Sequence, residues 1–210
     1  MNKIAREVAE TLLQIKAIKL NPTNHFTWAS GWNSPIYCDN RKILSYPTAR
    51  KLVSQSFAQT IEELYPEADV IAGVATGAIA HGVLVAESMQ KPFIYVRSAP
   101  KSHGMANQVE GEITPGAKVV VVEDLVSTGG SSLNAVEALR NAGYEVLGMV
   151  AIFTYGFNTA AENFDAAGVK LTTLSNYPTM IEVATEQEYI NQSDIETLKE
   201  WRKSPQTWKK

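Results

Sequence analysis

Lys118-Val119-Val120-Val121-Val122-Glu123-Asp124-Leu125-Val126-Ser127-Thr128-Gly129-Gly130-Ser131-Ser132 is the stretch whose reading decides the fold. Four consecutive β-branched residues read as a strand buried on both faces, the usual centre of a parallel sheet. The strand is expected to end in the two adjacent carboxylates and run through a turn of hydroxyls and glycines. It then enters a helix marked by Leu133, Val136 and Leu139. Such a unit leaves a crevice at the carboxyl end of the strand, where open α/β sheets hold ligands.

The order of residue types suggests which ligand. Gly129 and Gly130 let backbone approach an anion closely, and the amides around Ser131 open a helix whose first N–H groups lack partners. The hydroxyls of Ser127, Thr128, Ser131 and Ser132 can donate to phosphate oxygens. Glu123 and Asp124 would repel that phosphate, so they face something else, and a vicinal diol suits acceptor-only groups. Phosphate at one end and diol at the other describe a ribose 5-phosphate. The plainer alternative, a strand followed by a Ser/Gly helix cap, gives the acidic pair no reason to be there. No Gly-Lys-Ser/Thr follows the glycines, so the turn is not a P-loop.

The flanking chain repeats the pattern. Asp69–Val74 reads as a strand, Ala75-Thr76-Gly77-Ala78 as a small-residue loop able to cradle a second anion, and a helix follows through Met89. His81 on that helix reads as a packed or surface residue. Pro92–Val96 is a further strand ending at Arg97. Residues 98–111 are long and aperiodic, and with Arg97 they bring Lys101 and His103 into a positively charged lid. Downstream, the helix after the phosphate turn stops at Gly143, and Glu145–Phe153 is a buried strand leading into Thr154-Tyr155-Gly156. Asn158 is expected to cap a short helix, Val169–Leu174 to form a strand and Pro178–Ala184 a helix. Ser193 and Glu196 form a capping box for the terminal helix. Strands near 70, 94, 120, 148 and 171 alternating with helices define an α/β chain with a doubly wound, mostly parallel central sheet flanked by helices.

Residues 3–18 carry a helical apolar stripe that Asn21-Pro22 breaks. Residues 25–39 then read as two short strands around a Gly-containing turn, dense in aromatic side chains. Residues 20–45 are expected to form a small hood over the sheet, within a single domain spanning 1–210, with Tyr37 offering a face to a planar heterocycle. His25 reads as a surface or cap residue, Cys38 as a packed small hydrophobe, and Trp201 and Trp208 as packing or interface anchors. The 210-residue chain is 45% hydrophobic, enough for a full core. A net charge of −3 without a basic run argues against nucleic acid. One cysteine excludes an intrachain disulfide and suits a reducing compartment. Charged residues interrupt the amino end where a signal peptide would be apolar, and no run approaches the roughly 20 apolar residues of a membrane span. A cytoplasmic chain without membrane contact is expected.

The run Glu123-Asp-Leu-Val-Ser-Thr-Gly-Gly-Ser131 resembles the phosphoribosyl-diphosphate (PRPP) motif of type I phosphoribosyltransferases. The likeness extends over nearly the whole chain and is nearest to the orotate-using bacterial branch. Phe26-Thr-Trp-Ala-Ser-Gly with Ser34-Pro-Ile-Tyr37 is similar to that branch's hood, and Arg97…Lys101-Ser-His103-Gly104 to its catalytic lid. The resemblance implies that Glu123 and Asp124 hold the ribose hydroxyls. Leu125, Val126, Ser127, Thr128, Gly129, Gly130 and Ser131 would form the 5-phosphate loop. It places Thr76 and Gly77 on pyrophosphate, and Ser127, Tyr37 and Tyr155 near orotate. Arg97, Lys101 and His103 would close over pyrophosphate from the neighbouring subunit of a homodimer, with Lys101, His103 and Asp124 closest to the chemistry. Magnesium would bridge pyrophosphate and ribose oxygens, with no side-chain ligand assigned. The chain departs from the enteric pattern at Ala29 and Gly77, where lysines occur, and near Tyr155, where an arginine clamps the orotate carboxylate in some members. Arg41 and Lys42 are candidates to replace that charge. A purine-base transferase and a non-catalytic PRPP-sensing regulator are the alternatives on the same fold.

Overall fold

The computed structural model describes residues 3–99, 108–112 and 114–209. Its centre is a six-stranded sheet in the order β10-β9-β8-β5-β6-β7. The strands are β5 (Val70–Val74), β6 (Phe93–Val96), β7 (Val109–Glu110), β8 (Lys118–Val126), β9 (Glu145–Thr154) and β10 (Leu171–Asn176). All neighbours run parallel except β7, which pairs antiparallel with β6 at the edge. Helices α2 (Pro47–Leu64), α3 (Ile79–Met89), α4 (Gly130–Asn141) and α5 (Asn158–Ala166) fill the intervals, with α1 (Lys3–Gln14), α6 (Tyr177–Glu186) and α7 (Asp194–Lys203) at the ends of the chain. The expected α/β, doubly wound sheet is therefore present.

β8 is central because its side chains leave it no alternative. Val119, Val120, Val121 and Val122 are each fully buried. Each such burial is worth about 1.5–3 kcal/mol, so a position exposing one face would forfeit several of them at once. From β5 the chain moves outward to β6 and β7, then returns to the far side of β5 as β8 and continues to β9 and β10. The winding thus reverses between β5 and β8, and the loops leaving those two strands flank the resulting crevice.

Several boundaries differ from the sequence expectation. α1 stops at Gln14, and Ile18–Leu20 forms β1, paired antiparallel with β4 (Ile36–Cys38). Lys16 at φ +54° breaks the helix, and the buried residues of α1 are followed by the buried Ile18 of the strand. The two short strands in the aromatic segment are β2 (Phe26–Thr27) and β3 (Asn33–Ser34), turned by Gly31 at φ +81°. β8 does not end at the acidic pair: it continues to Val126, with Glu123 opposite Ala151 and Leu125 opposite Phe153 of β9. The aperiodic segment ends in β7, too short at two residues for any period to register. Asn158 is the first helical residue rather than a cap, and Ser193 makes no side-chain capping bond. Asp194 instead accepts from the Asn191 amide.

Candidate active site

β8 overhangs β5. Gly73 is opposite Val122, so β5 finishes at Val74 while β8 runs on through Glu123 and Asp124. Strand alternation sends these two carboxylates to opposite faces, and they meet different environments. Glu123 is 4% exposed. Its Oε2 accepts from Ser132 Oγ at 2.8 Å and its Oε1 from the Asp124 amide at 2.9 Å. Burial first, and then the Asp124 charge, push the Glu123 carboxyl up to about 8, so it carries a proton near neutrality. Ser132, expected on phosphate, is thus committed to Glu123.

Asp124 is half-buried and lines a cavity of about 350 Å³. The other walls are Cys38, Asp39 and Arg41, the loop Val74-Ala75-Thr76-Gly77, and Glu123, Leu125 and Ser131. Thr76 and Gly77 from the first loop therefore share one space with the acidic pair and Ser131 from the second. The first loop is fitted to Asp124 at close range: a Cβ built on Gly77 would lie 2.3 Å from Asp124 Oδ2. No side chain fits there beside this Asp124 rotamer, which gives a physical reason for glycine where the enteric pattern has lysine. The Thr76 and Gly77 amides have no acceptor among the described residues, so both are open to an anion.

The second loop is likewise open at its amides. Gly129 sits at φ +86°, where a Cβ would also come within 2.8 Å of Phe164. It caps α4, and its carbonyl accepts from Leu133, leaving the amides of Gly130, Ser131 and Ser132 at the free helix start. The Thr128 carbonyl is held by Asn163 Nδ2 at 2.9 Å, which ties the loop to α5. Ser127 and Thr128 are half-buried beside it. Val126 contributes through its backbone position: its side chain is buried, and its carbonyl accepts from Thr154 Oγ1 and the Tyr155 amide.

The remaining expected residues lie further out. Arg97 sits at the neck of the β6–β7 hairpin, where its amide donates to Gln108 O and its guanidinium is 3.6 Å from Glu110. Lys101 and His103 lie outside the described residues. Tyr37 is 39% exposed, with its ring 5.7 Å from Phe26. Tyr155 is buried in an aromatic cluster, 4.9 Å from Trp28 and stacked at 5.5 Å on Phe157, and it is not among the cavity walls. Ala29 is exposed. Of the two candidate cations, Arg41 borders the cavity in an ion pair with Asp39, while Lys42 donates to the Lys16 carbonyl.

Two polar residues, one at the cavity and one beside the turn after β9, carried no sequence signal. Asn40 donates from Nδ2 to the Asp124 carbonyl at 2.6 Å. Arg202 of α7 donates to the carbonyls of Tyr155 and Gly156. Both act across more than 40 positions of sequence, where spacing says nothing. A larger groove of about 740 Å³ lies between α6, α7 and the turn after β9, and it meets the phosphate loop only at Thr128. It lacks the paired carboxylates and the first anion loop, so the smaller cavity is the one assigned to chemistry.

A half-buried carboxylate between two loops with open amides, at the reversal of a parallel sheet, is the arrangement expected of a type I phosphoribosyltransferase. Residues 40–184 match the phosphoribosyl transferase domain family. The chain is 57% identical over 208 residues to orotate phosphoribosyltransferase of Porphyromonas gingivalis, covering 99% of both chains. It is 58% identical over 208 residues to the same enzyme of Bacteroides thetaiotaomicron, covering 99% of this chain and 98% of that one. The solved orotate phosphoribosyltransferase of Aeropyrum pernix superposes with a TM-score of 0.76 at 28% identity, covering 88% of this chain and 99% of that one. The chain belongs to the orotate phosphoribosyltransferase family.

Proposed function

We propose that the chain transfers the phosphoribosyl group of PRPP to N1 of orotate in pyrimidine synthesis, forming orotidine 5-phosphate and releasing pyrophosphate. The observation that carries this reading is the convergence of Asp124, the open Thr76–Gly77 amides and the start of α4 on one crevice. The 5-phosphate is received by the free amides at the start of α4 and by Ser127, Thr128 and Ser131. Asp124 accepts from the ribose hydroxyls, with Glu123 holding it in place through the Asp124 amide. The Thr76 and Gly77 amides receive the pyrophosphate.

As the bond from the anomeric carbon to pyrophosphate lengthens, the sugar gains oxocarbenium character and the leaving group gains negative charge. Donors placed for that developing charge lower the barrier. Neither anion loop contains a lysine or arginine, so cationic help comes from Lys101, with Arg97 and His103, on the segment that follows β6. We assign that segment to the site of a neighbouring subunit in a homodimer, where closure excludes water from the oxocarbenium. Orotate N1 is already acidic and needs no dedicated base. Tyr37 and the strands β1–β4 form a hood over the base, with Ser127 on its other side and Tyr155 supporting the packed floor.

Among the described residues no group of three or more His, Cys, Asp and Glu is gathered. Both Glu123 oxygens are already engaged, which leaves Asp124 as the open carboxylate of the pair. That donor set fits a magnesium ion held chiefly by substrate oxygens and water. When bound, the ion neutralises charge on the departing pyrophosphate. No helix among the described residues is long and apolar enough to cross a membrane, and we place the enzyme in the cytoplasm.

The test is product formation from PRPP with orotate, hypoxanthine, xanthine or adenine, with and without magnesium. Magnesium-dependent orotidine 5-phosphate formation with orotate alone supports the reading. Preference for a purine base overturns the acceptor assignment. Failure with every base, together with salt-sensitive nucleic-acid binding, overturns the enzymatic one.

A further inference from the structure

We propose that Asn40 and His81 are positioning residues for Asp124, joining the segment after β4, helix α3 and the end of β8 into one unit that presents the Asp124 carboxylate to ribose. The proposal rests on the reading of the cavity as a PRPP site.

Asn40 is 1% exposed, and both ends of its amide are committed. Nδ2 donates to the Asp124 carbonyl at 2.6 Å, and Oδ1 accepts from Cys38 Sγ at 3.3 Å. His81 is equally buried, at 2% exposure. Its ring lies beside the Asn40 backbone and within the field of Asp124. Nε2 has no partner among the described residues, which leaves Nδ1 as the nitrogen available to the Asn40 carbonyl. Burial holds the imidazole below its ordinary value, and at neutral pH it is an uncharged donor.

An apolar residue at 81 would fill this space without leaving a buried nitrogen open, and open buried polar atoms are rare because they are costly. The histidine is therefore best explained by what its other nitrogen holds. α3 is seated tightly enough to make the contact reproducible: a Cβ on Gly82 would lie 2.6 Å from the Phe93 ring, and one on Gly73 3.0 Å from Ala78 O. The same helix begins just after Thr76–Gly77, so the pyrophosphate loop and His81 move as one piece. Asp124 is then fixed at its amide by Glu123 and at its carbonyl by Asn40, and its carboxylate lies where only a glycine at 77 leaves it room.

A grip on the ribose diol that is present before and during the reaction affects donor binding more than turnover. In the full-length enzyme, Asn40→Asp places an acceptor against the Asp124 carbonyl, and His81→Leu removes the ring donor. Each is expected to raise KM for PRPP about tenfold, with kcat and KM for orotate within about twofold. His81→Asn keeps a donor near the Nδ1 position and is expected to recover most of the loss. A role in packing alone would lower the folded fraction, and with it apparent kcat, while leaving KM for PRPP unchanged, and asparagine would not rescue it. That pattern overturns the proposal. Should His81→Leu not fold, Asn40→Asp and His81→Asn carry the comparison by themselves. Calorimetric binding of PRPP to the same variants separates this proposal from the acceptor assignment. Weakened PRPP binding sustains the positioning role even if orotate is not the base, and unchanged binding overturns it even if orotate is.

Discussion

The two strand–loop–helix units flanking the crevice share a plan and divide the work. β5 leads through Ala75–Ala78 to α3, and β8 leads through Ser127–Gly129 to α4; both loops are small, neutral and rich in open amides. The difference is the length of strand. β5 stops at Val74, whereas β8 continues past it to Val126, supported on its other side by β9 up to Thr154. The overhang carries the acidic pair into the space above the shorter strand, so Asp124 lands on Gly77. In the proposed function the longer unit supplies the recognising side chain, while the shorter one leaves it the clearance.

Because both loops lack a cation, the sharpest way to break this comparison is to ask whether they suffice without one. Lys101→Ala is expected to lower kcat by about 10²-fold or more, the scale of removing a group that stabilises transition-state charge. Steady-state kinetics at saturating PRPP and orotate measure it, and unchanged turnover would mean that the amides and magnesium carry the leaving-group charge alone. Next in size is Gly77→Ala. Its methyl group would displace the Asp124 carboxylate, and KM for PRPP is expected to rise about tenfold, with melting temperature nearly unchanged because the carboxylate can swing into the cavity. A normal KM would show that Asp124 is not held by that contact.

How legible this was depends on how local each signal is. The valine run, the acidic doublet and the Ser-Thr-Gly-Gly turn are contiguous, and their chemistry could be read directly; so could the alternation of strands and helices. The overhang could not, because strand register is set between chains of residues distant in sequence, and Glu123 and Asp124 resemble a strand end as much as a strand interior. The split between the two carboxylates follows from which face of β8 each one takes, and that becomes visible only with Ser132 folded back onto Glu123. Asn40 reaches Asp124 across 84 positions, a separation at which no motif operates. Only the family resemblance places Tyr155 near the base, and the packing of its ring with Trp28, Phe157 and Trp201 depends on residues far apart in sequence.

A smaller effect sharpens the comparison from the side of the phosphate loop. Gly129→Ala forces a side chain into the left-handed region and against Phe164. The expected cost is about 1–2 kcal/mol, read as a fall of about 3–6 °C in melting temperature. Gly77→Ala, by contrast, should disturb PRPP binding rather than stability, so the pair of variants separates a glycine required by backbone conformation from one required by a neighbour. Equal melting losses in both would erase that distinction.

The smallest expected effect on activity concerns the carboxylate that faces inward. Glu123 is raised to about 8 in the folded chain, well above the ordinary glutamate value, so the folded state binds its proton more tightly than the unfolded state does. Its contribution to stability is fully present at low pH and is lost as pH rises through the folded value, the reverse of an ion-paired carboxylate. Glu123→Gln imitates the protonated form and has nothing to lose on that rise. The melting temperatures of the two proteins are therefore expected to lie closest together at pH 5 and to separate steadily, in favour of the variant, as pH rises to 9. A separation that stays constant across that range would place the pair's proton elsewhere, and with it the assignment of Asp124 as the charged partner that meets ribose.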